Sequence, residues 1–519
     1  MKVDISIVGC GPVGATLANL LSDYGYSIAI IEKEMEIYRA PRAVHLDDEV
    51  LRIFQSVGII DDLKESITSF KKMQFVSGKG RVLLEACMDE NYEPYGHAPA
   101  NWFLQPDLEH KLRAAFETKN NLHFLKGYEV VEVIDHTDSA SLKAVNTHNQ
   151  EEVTIQSKYL IGCDGGRSTV RKSMTVDFEN LDFDQPWMVV DTFLKSTDDA
   201  HLLPDVHQQI CDPKRPITYV PGVGTHRRFE FMLVDGDTKE DISKQSTIEN
   251  LIAPFIDPDK LEIARSAVYT FHGLTASRWR NGRFILAGDS AHQMPPFAGQ
   301  GMCSGIRDAH NLAFKLDLVL RGIAKESLLD TYQEERKPHV TAISKGAIKM
   351  GKAIQTQNPL LVIIRNLLFF LARNSAFLQE KIQQDFNKKL PYAHGFLGKH
   401  HAMSGQLAIQ PLIKVGEEQL LLDDLLGNHL ALISTNAISS ALSNKFKSRI
   451  DGRLYVIDEN FTSPELKAWM KAQKMEFVII RPDRYIYDGG TLKDLERIMN
   501  TLFESWIMNK RKQTISEVQ

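Results

Sequence analysis

The start of the chain constrains its fold more than any other stretch. Ile5 to Val8 is a short apolar strand, and Gly9-Cys10-Gly11-Pro12-Val13-Gly14 follows it directly. Ala15 to Tyr24 then reads as a helix with Leu17, Leu20 and Leu21 on one face. Gly25 ends that helix, and Ser27 to Ile31 is a second strand closing on Glu32. This is a β-α-β unit of about the ~30 residues such a unit requires. In that context the first glycine allows a tight turn, the second lets the backbone reach a pyrophosphate, and the third lets helix pack on strand. The helix N-terminus favours phosphate charge, and Glu32 stands where a carboxylate meets ribose hydroxyls. The motif reads as a dinucleotide site and does not separate NAD from FAD.

Two later stretches repeat the strand-turn-helix form. Gly162-Cys163-Asp164-Gly165-Gly166-Arg167-Ser168-Thr169-Val170-Arg171 follows the strand Tyr159 to Ile161. Asp164 would accept hydrogen bonds near a ligand, and Arg167 and Arg171 add positive charge; a capped turn is the competing reading. Phe284-Ile285-Leu286-Ala287 runs into Gly288-Asp289-Ser290-Ala291-His292-Gln293-Met294-Pro295-Pro296-Phe297-Ala298-Gly299-Gln300-Gly301-Met302. Asp289, at a strand's end, can bond a sugar or polyol hydroxyl. Pro295-Pro296 stiffens the loop, and Gly299 and Gly301 let backbone N–H groups approach a ligand as a helix begins. Earlier, within Pro41 to Glu49, Arg42 could meet a phosphate or a cofactor's edge and His45 could face an active site. Asp47 and Asp48 read as caps of the helix Glu49 to Ser56.

With 519 residues, more than one domain is expected. Strand signals at Met73 to Ser77 and Arg81 to Glu85, then at Trp187 to Thr192, Ile217 to Val220 and Arg228 to Leu233, suggest a mostly antiparallel sheet inserted into the α/β domain. The apolar window Leu360 to Leu371 carries Arg365 and is too short to span a bilayer, so it reads as a buried or domain-bridging helix. A net charge of −6 argues against nucleic-acid binding. Cys10, Cys87, Cys163, Cys211 and Cys303 form no C-x-x-C pair, so no metal site or disulfide framework is expected and a cytoplasmic location fits. Met1 leads straight into a strand, with no room for a signal peptide.

In this order and spacing, the three motifs resemble the class A flavoprotein aromatic hydroxylases, relatives of p-hydroxybenzoate hydroxylase. Pro41 to Glu49, Phe103-Leu104-Gln105-Pro106, Arg227-Arg228-Phe229-Glu230-Phe231, Gly288 to Met302, Glu335-Arg336-Lys337-Pro338-His339-Val340 and Arg481-Pro482-Asp483-Arg484-Tyr485 resemble the 3-(3-hydroxyphenyl)propionate hydroxylase branch. The similarity runs over essentially the whole chain. The terminal domain resembles the thioredoxin-like appendage of phenol hydroxylases, and its lack of cysteine rules out dithiol chemistry there.

The resemblance implies an α/β fold. A discontinuous Rossmann-like FAD-binding domain would take residues 1–75, 100–180 and 265–345, and an inserted substrate domain 76–99 and 181–264. A helical connection 346–399 and a thioredoxin-like domain 400–519 would follow. FAD would lie extended, its adenosine end on Gly9, Gly11, Pro12, Gly14 and Glu32, with Lys33 beside it. Arg42, Gln105 and Asp289 would hold the ribityl and pyrophosphate groups, and Asp164 would serve FAD and the reductant. Gly288, Pro296, Gly299, Gly301 and Met302 would border the flavin ring. NADH or NADPH would reduce the flavin, and O2 would add to give a hydroperoxide that passes one oxygen atom to a phenolic ring. The cofactor supplies that chemistry and the protein positions and shields it; Pro295 and Pro296 would keep water out, and the helix N-terminus at Gly299 to Met302 would stabilise charge on the reduced flavin.

A base that deprotonates the phenol would raise its reactivity. Phenol hydroxylases carry an Asp two residues after the position of Arg42, and here that residue is Val44. His45 or Tyr219 could serve instead, and a substrate carboxylate would want Arg215, Arg227 or Arg228. The expected function is an FAD-dependent, NAD(P)H-using hydroxylase of a small phenolic substrate, a 3-(3-hydroxyphenyl)propionate-like acid being one case. The alternatives are a polyketide-tailoring or antibiotic-inactivating flavin hydroxylase, and a non-hydroxylating flavin reductase of the same fold. No nucleic acid and no membrane span are expected, and a homodimer is compatible with the sequence.

Overall fold

Ile5–Val8 is buried along its whole length because both faces of its sheet are covered. This is the state in which parallel strands read as continuous apolar runs. The structure, a computed structural model, describes residues 1–87 and 93–508, with backbone only for 385–387. Residues 88–92 of the expected 76–99 segment and 509–519 of the expected 400–519 domain lie outside the described residues.

The first sheet has six strands in the order Arg280–Asn281, Phe284–Leu286, Tyr159–Gly162, Ile5–Val8, Ile28–Glu32 and Leu122–Lys126. All neighbours are parallel except the short edge strand Arg280–Asn281. The register sets the site: Val8 lies opposite Gly162, and Gly162 opposite Leu286. The three motifs therefore leave the same edge of the sheet on adjacent strands. The helices Pro12–Asp23 and Gly301–Leu320 pack on that sheet and on each other. A three-stranded antiparallel ribbon, Tyr128–Asp135, Ala140–Asn146 and Glu152–Ser157, flanks it.

The second sheet has eight strands in the order His292–Gln293, Leu261–Ala276, Phe178–Leu194, His226–Met232, Ile217–Val220, His207–Ile210, Lys72–Val76 and Val82–Cys87. Only the pairing of His207–Ile210 with Lys72–Val76 is parallel. The strands Phe178–Leu194 and Leu261–Ala276 are 17 and 16 residues long and reach from the first sheet's domain into the second. The sheet thus takes in residues from Lys72 and through Ala276, beyond the segments 76–99 and 181–264. Its outer face carries Met188, Val190, Tyr219, Phe229 and Phe231, covered by Ile242, Ile248 and Ile252 of two short helices. Its inner face, with Trp187 and Met232, packs on Phe297 of the loop that follows Asp289.

The C-terminal region carries a four-stranded sheet, Arg453–Val456, Ala431–Ser434, Phe477–Ile480 and Ile486–Gly490, with the first pair parallel and the others antiparallel. Buried ion pairs dock it. Arg52 donates twice to Asp423, at 2.9 Å each. Arg481 donates to Glu335 at 2.7 and 3.1 Å.

Pro338 lies inside a helix that runs unbroken from Asp330 to Ile354. One expectation needs correction. The apolar window Leu360 to Leu371 does form a helix, Pro359–Arg373, but it is neither buried nor bridging: most of its large side chains face solvent. Among the described residues no single helix is long and apolar enough to cross a membrane.

Candidate active site

Gly9 adopts φ +97°, and a Cβ there would stand 2.5 Å from the Cys163 carbonyl oxygen, so the first motif is pressed against the second. A Cβ on Gly14 would come within 2.0 Å of the Gly9 carbonyl oxygen. Gly11 differs: a Cβ there would meet nothing within 4 Å. Its missing side chain is required by no protein neighbour and leaves the backbone open to a ligand. The helix Pro12–Asp23 starts with no side-chain cap and no acidic residue in its first turn, an N-terminus ready for phosphate charge. Glu32 stands beside it, accepting from the Cys10 N–H at 2.8 Å. Arg113 donates to the Cys10 carbonyl at 2.9 Å, a contact that no sequence motif signals. Lys33, beyond Glu32, borders a cleft of ≈ 860 Å³ with Glu34, Tyr38 and Arg39.

Asp164 caps the helix Thr169–Ser173 through one oxygen, which accepts from the Thr169 and Val170 N–H groups at 2.7 and 3.2 Å. Its other oxygen, Oδ1, is buried with no hydrogen-bond partner among the described residues. The capping role and a free acceptor coexist in one carboxyl, whose pKa burial raises. Arg171 is a tie between motifs, donating to the carbonyls of Ser290 and Gly166. Arg167 is exposed.

Gly288 turns with φ +65° and donates its N–H to buried Asp308, which also pairs with His292 at 2.6 Å and Arg336 at 2.8 Å. Asp308 and Arg336 hold the Asp289 turn in place, a role the sequence reading did not give them. The Asp289 carboxyl is solvent-accessible yet set deep in the protein, and burial raises its pKa. Accessible and deep together mean that it lines an internal cleft. The exposed Arg42 guanidinium lies over the Tyr38 ring at 5.0 Å, near enough for its charge to act on both Asp289 and Glu109. Gln105 accepts from the Ala43 N–H at 2.8 Å and so fixes the loop that bears Arg42. Gly299, at φ +62°, leaves 2.9 Å between the position of a Cβ and Nδ1 of His45. The helix Gly301–Leu320 opens with neither a side-chain cap nor an acidic residue in its first turn, and Gly301 and Met302 form its half-buried start. Pro295 is buried and Pro296 half-buried beside it.

An open Gly11, two bare helix N-termini, the orphaned Asp164 oxygen and the cleft-lining Asp289 suit a long, polar, negatively charged cofactor with one flat end. FAD fits that donor set.

Opposite the Pro295–Gly301 loop lies the inner face of the eight-stranded sheet. Strand alternation puts Arg228 and Glu230 on this face and Phe229 and Phe231 on the other. Arg228 is committed to structure. It donates to Asp191 at 2.7 Å and to the carbonyls of Pro41 and Arg42 at 2.6 and 2.8 Å, so it anchors the Arg42 loop instead of meeting a substrate carboxylate. Arg215 is likewise held by Asp237 and the Met232 carbonyl, and Arg227 by three backbone carbonyls. Tyr219 points into the apolar outer face and donates to the Pro204 carbonyl at 3.1 Å, away from the site.

Glu230 is the residue that sequence reasoning passed over. It lies across from Thr218 and Val189, between the point where Arg228 grips the Arg42 loop and the point where Trp187 and Met232 receive Phe297. Its carboxyl accepts no hydrogen bond among the described residues; the nearest cation, Arg228, is 3.8 Å away. Burial pushes its pKa up to about 7. The polar row continues through Thr218, which donates to Gln209 at 2.8 Å, to His207, 2.8 Å from Gln209. Burial holds His207 down to about 3, so it stays neutral. Trp102 stacks over His207 at 5.5 Å and on Phe70 at 3.9 Å, with the edge of His45 6.2 Å from Trp102. His45 is thus part of an aromatic wall, its Nδ1 3.3 Å from the Gly299 carbonyl oxygen and its pKa lowered by burial.

Comparison with known proteins shows the family. Residues 2–347 match the family model described as FAD binding domain, and residues 405–505 match the HcaD C-terminal domain. The 3-(3-hydroxy-phenyl)propionate/3-hydroxycinnamic acid hydroxylase of Escherichia coli (strain K12) is 31% identical, with 96% of this chain and 94% of that protein aligned. The protein so named in Shigella sonnei (strain Ss046) matches equally. Among solved structures, the flavin-dependent monooxygenase PieE, in complex with FAD and substrate, superposes with a TM-score of 0.82 at 18% identity, covering 97% of this chain and 99% of that one. OxyS anhydrotetracycline hydroxylase from Streptomyces rimosus gives 0.81 at 20%, covering 98% and 99%. The chain carries the FAD-binding domain over most of its length and matches an aromatic hydroxylase end to end, and it therefore belongs to the FAD-dependent aromatic hydroxylases.

Proposed function

We propose that the substrate is a small phenolic acid of the 3-(3-hydroxyphenyl)propionate type, held between the flavin-side loop Pro295–Gly301 and the polar row Gln209, Thr218 and Glu230. One observation carries this reading: Glu230 is a buried carboxyl with free acceptor capacity, and it sits between the Arg42 loop, expected to hold the middle of FAD, and the Pro295–Gly301 loop, expected to border its ring. When bound, FAD supplies the redox and oxygen chemistry. The chain's own residues hold the cofactor, exclude water and move the phenolic proton. Glu230 takes that proton, and Thr218 and neutral His207 orient the ring hydroxyl. Trp102, Phe70 and His45, packed ring on ring, form the aromatic wall against which the substrate ring would lie. The 31% identity to a hydroxylase whose name includes this substrate type supports the reading.

In the same proposal Gly9, Gly11, Pro12, Gly14, Glu32 and Lys33 hold the adenosine end of FAD. Arg42, Gln105, Asp164 and Asp289 hold its middle, and Gly288, Pro296, Gly299, Gly301 and Met302 border the ring, with NADH or NADPH as reductant. The β-α-β-α-β-β-α order of the C-terminal sheet supports a thioredoxin-like appendage. Five unpaired cysteines support a reducing, cytoplasmic setting.

The test is a product assay on FAD-loaded protein with NADH and NADPH in turn. We expect 3-(3-hydroxyphenyl)propionate or 3-hydroxycinnamate to stimulate oxygen uptake and to gain one oxygen atom by mass. Turnover confined to large polycyclic phenols would replace this substrate class, and reductant oxidation with no oxygenated product from any phenol would remove it.

A further inference from the structure

The helix Pro359–Arg373 is amphipathic the wrong way round for a water-facing element. A surface helix normally turns its apolar stripe to the core. Here Arg365 and Asn366 lie on the inner side: Arg365 is 7% exposed and donates to the Cys211 and Ala353 carbonyls at 3.0 and 3.3 Å. Phe369, one turn on, packs on Phe75 at 5.2 Å. The outer side is apolar, with Leu360, Ile363, Leu367, Leu368 and Leu371 between 50% and 65% exposed. The next helix, Ala376–Asn387, turns away at 96° and extends the patch with Phe377 at 72%. Large contiguous apolar patches on a soluble surface mark an interaction site.

Charge identifies the occupant. The whole chain has 61 basic and 67 acidic residues. Between Lys345 and Lys389 it has eight basic and two acidic. Lys349 and Lys352 before the apolar helix, Arg373 at its end, and Lys381 and Lys388 beyond it are all exposed. Lys79 and Arg81 are exposed on the hairpin against which both helices pack. A second copy of the chain docking about a two-fold axis would set this basic patch against an equally basic one. An anionic lipid surface complements both halves of the pattern, with acyl chains for the leucines and headgroup phosphates for the lysines. The 15-residue helix is about 22 Å long, short of a hydrocarbon core of about 30 Å, and Arg365 pins it along the protein surface. It is built to lie on a bilayer and not to cross one.

We propose that the helices Pro359–Arg373 and Ala376–Asn387 dock this hydroxylase on an anionic membrane surface. The bilayer would then lie along the Val82–Cys87 edge of the substrate-side sheet, where these helices pack. This inference stands apart from the substrate proposed above.

Co-sedimentation of the full-length, FAD-loaded protein with vesicles tests it, using phosphatidylcholine alone and phosphatidylcholine with phosphatidylglycerol. We expect at least about tenfold tighter binding to the anionic vesicles, weakened by high salt as screening requires. Two variants separate the contributions: Ile363→Ser/Leu367→Ser/Leu371→Ser, and Lys349→Glu/Lys352→Glu/Lys381→Glu. Each should lose about tenfold or more of vesicle binding while keeping its flavin content and melting temperature. Equal binding of wild type and the apolar variant overturns the proposal. So does a wild type that ignores both vesicle types, including one that sediments as a dimer which the apolar variant breaks into monomers.

Discussion

Asp289 and Glu230 are both carboxyls inside the protein, and the proposed function gives them opposite tasks. Asp289 lines a cleft with the Arg42 charge nearby, as suits a group that accepts hydroxyl hydrogen bonds from a bound cofactor. Replacing it with Ala should weaken FAD retention by about tenfold or more, since a hydrogen bond to a charged group contributes about 1.5–3 kcal/mol. Bound flavin per chain after gel filtration measures this, and stoichiometric flavin in Asp289→Ala would remove the role. Glu230 has no hydrogen-bonding partner among the described residues, and burial pushes its pKa up to about 7 beside Arg228, Asp191 and Arg265. The base is the deprotonated form, so product formation should rise as pH passes upward through about 7. Glu230→Gln should lose that rise and slow hydroxylation by about 10²–10⁴, the range of general-base contributions, while reductant oxidation continues. An unchanged pH profile in the variant would exclude Glu230. The roles of these two residues were not equally legible. Asp289 is announced by a glycine before it and a strand end. Glu230 sits in a strand whose alternation is readable, yet which face looks inward depends on where Phe297 lands.

At the scale of elements, the three strand ends Val8, Gly162 and Leu286 form one row, and each motif occupies the turn that follows. Continuous apolar runs followed by glycines made those elements readable. The helix Pro359–Arg373 was readable as a helix and misread in its placement, because composition alone does not say which face is covered. Its two faces should respond differently to substitution. Ile363→Ser, on the outer face, should change stability by no more than about 0.5 kcal/mol, as exposed sites do. Phe369→Ala, on the half-buried inner face against Phe75, should cost about 1–3 kcal/mol. Urea unfolding of the two variants decides, and equal effects would contradict the inverted arrangement.

At the scale of the whole molecule, the C-terminal domain is locked to the rest by buried charge. Asp423 meets Arg52 at 2.9 Å and Arg484 at 3.2 Å, all nearly fully buried. Removing one partner of a buried pair costs about 3–5 kcal/mol, because the remaining charge stays desolvated. Asp423→Ala should therefore loosen the C-terminal sheet first, seen as a separate early melting step and as proteolysis beyond residue 400, with flavin still bound. A single unchanged transition would show that apolar packing holds the domains together.

Local pattern by itself determined the β-α-β start, the three glycine-rich turns, the inserted sheet and a dinucleotide site, while the choice of FAD rested on the family resemblance. Each follows from short-range rules of backbone sterics, strand and helix period and phosphate geometry. Only the tertiary structure decided which charged residues are free. Arg215 and Arg228 looked available for a substrate carboxylate and Tyr219 as a base, and they are held by Asp237, Asp191 and the Pro204 carbonyl. Glu230 carried no signal and is left without a hydrogen bond among the described residues. A side chain's reactivity depends on its desolvation and on partners far away along the chain, and these exist only once the sheets have packed.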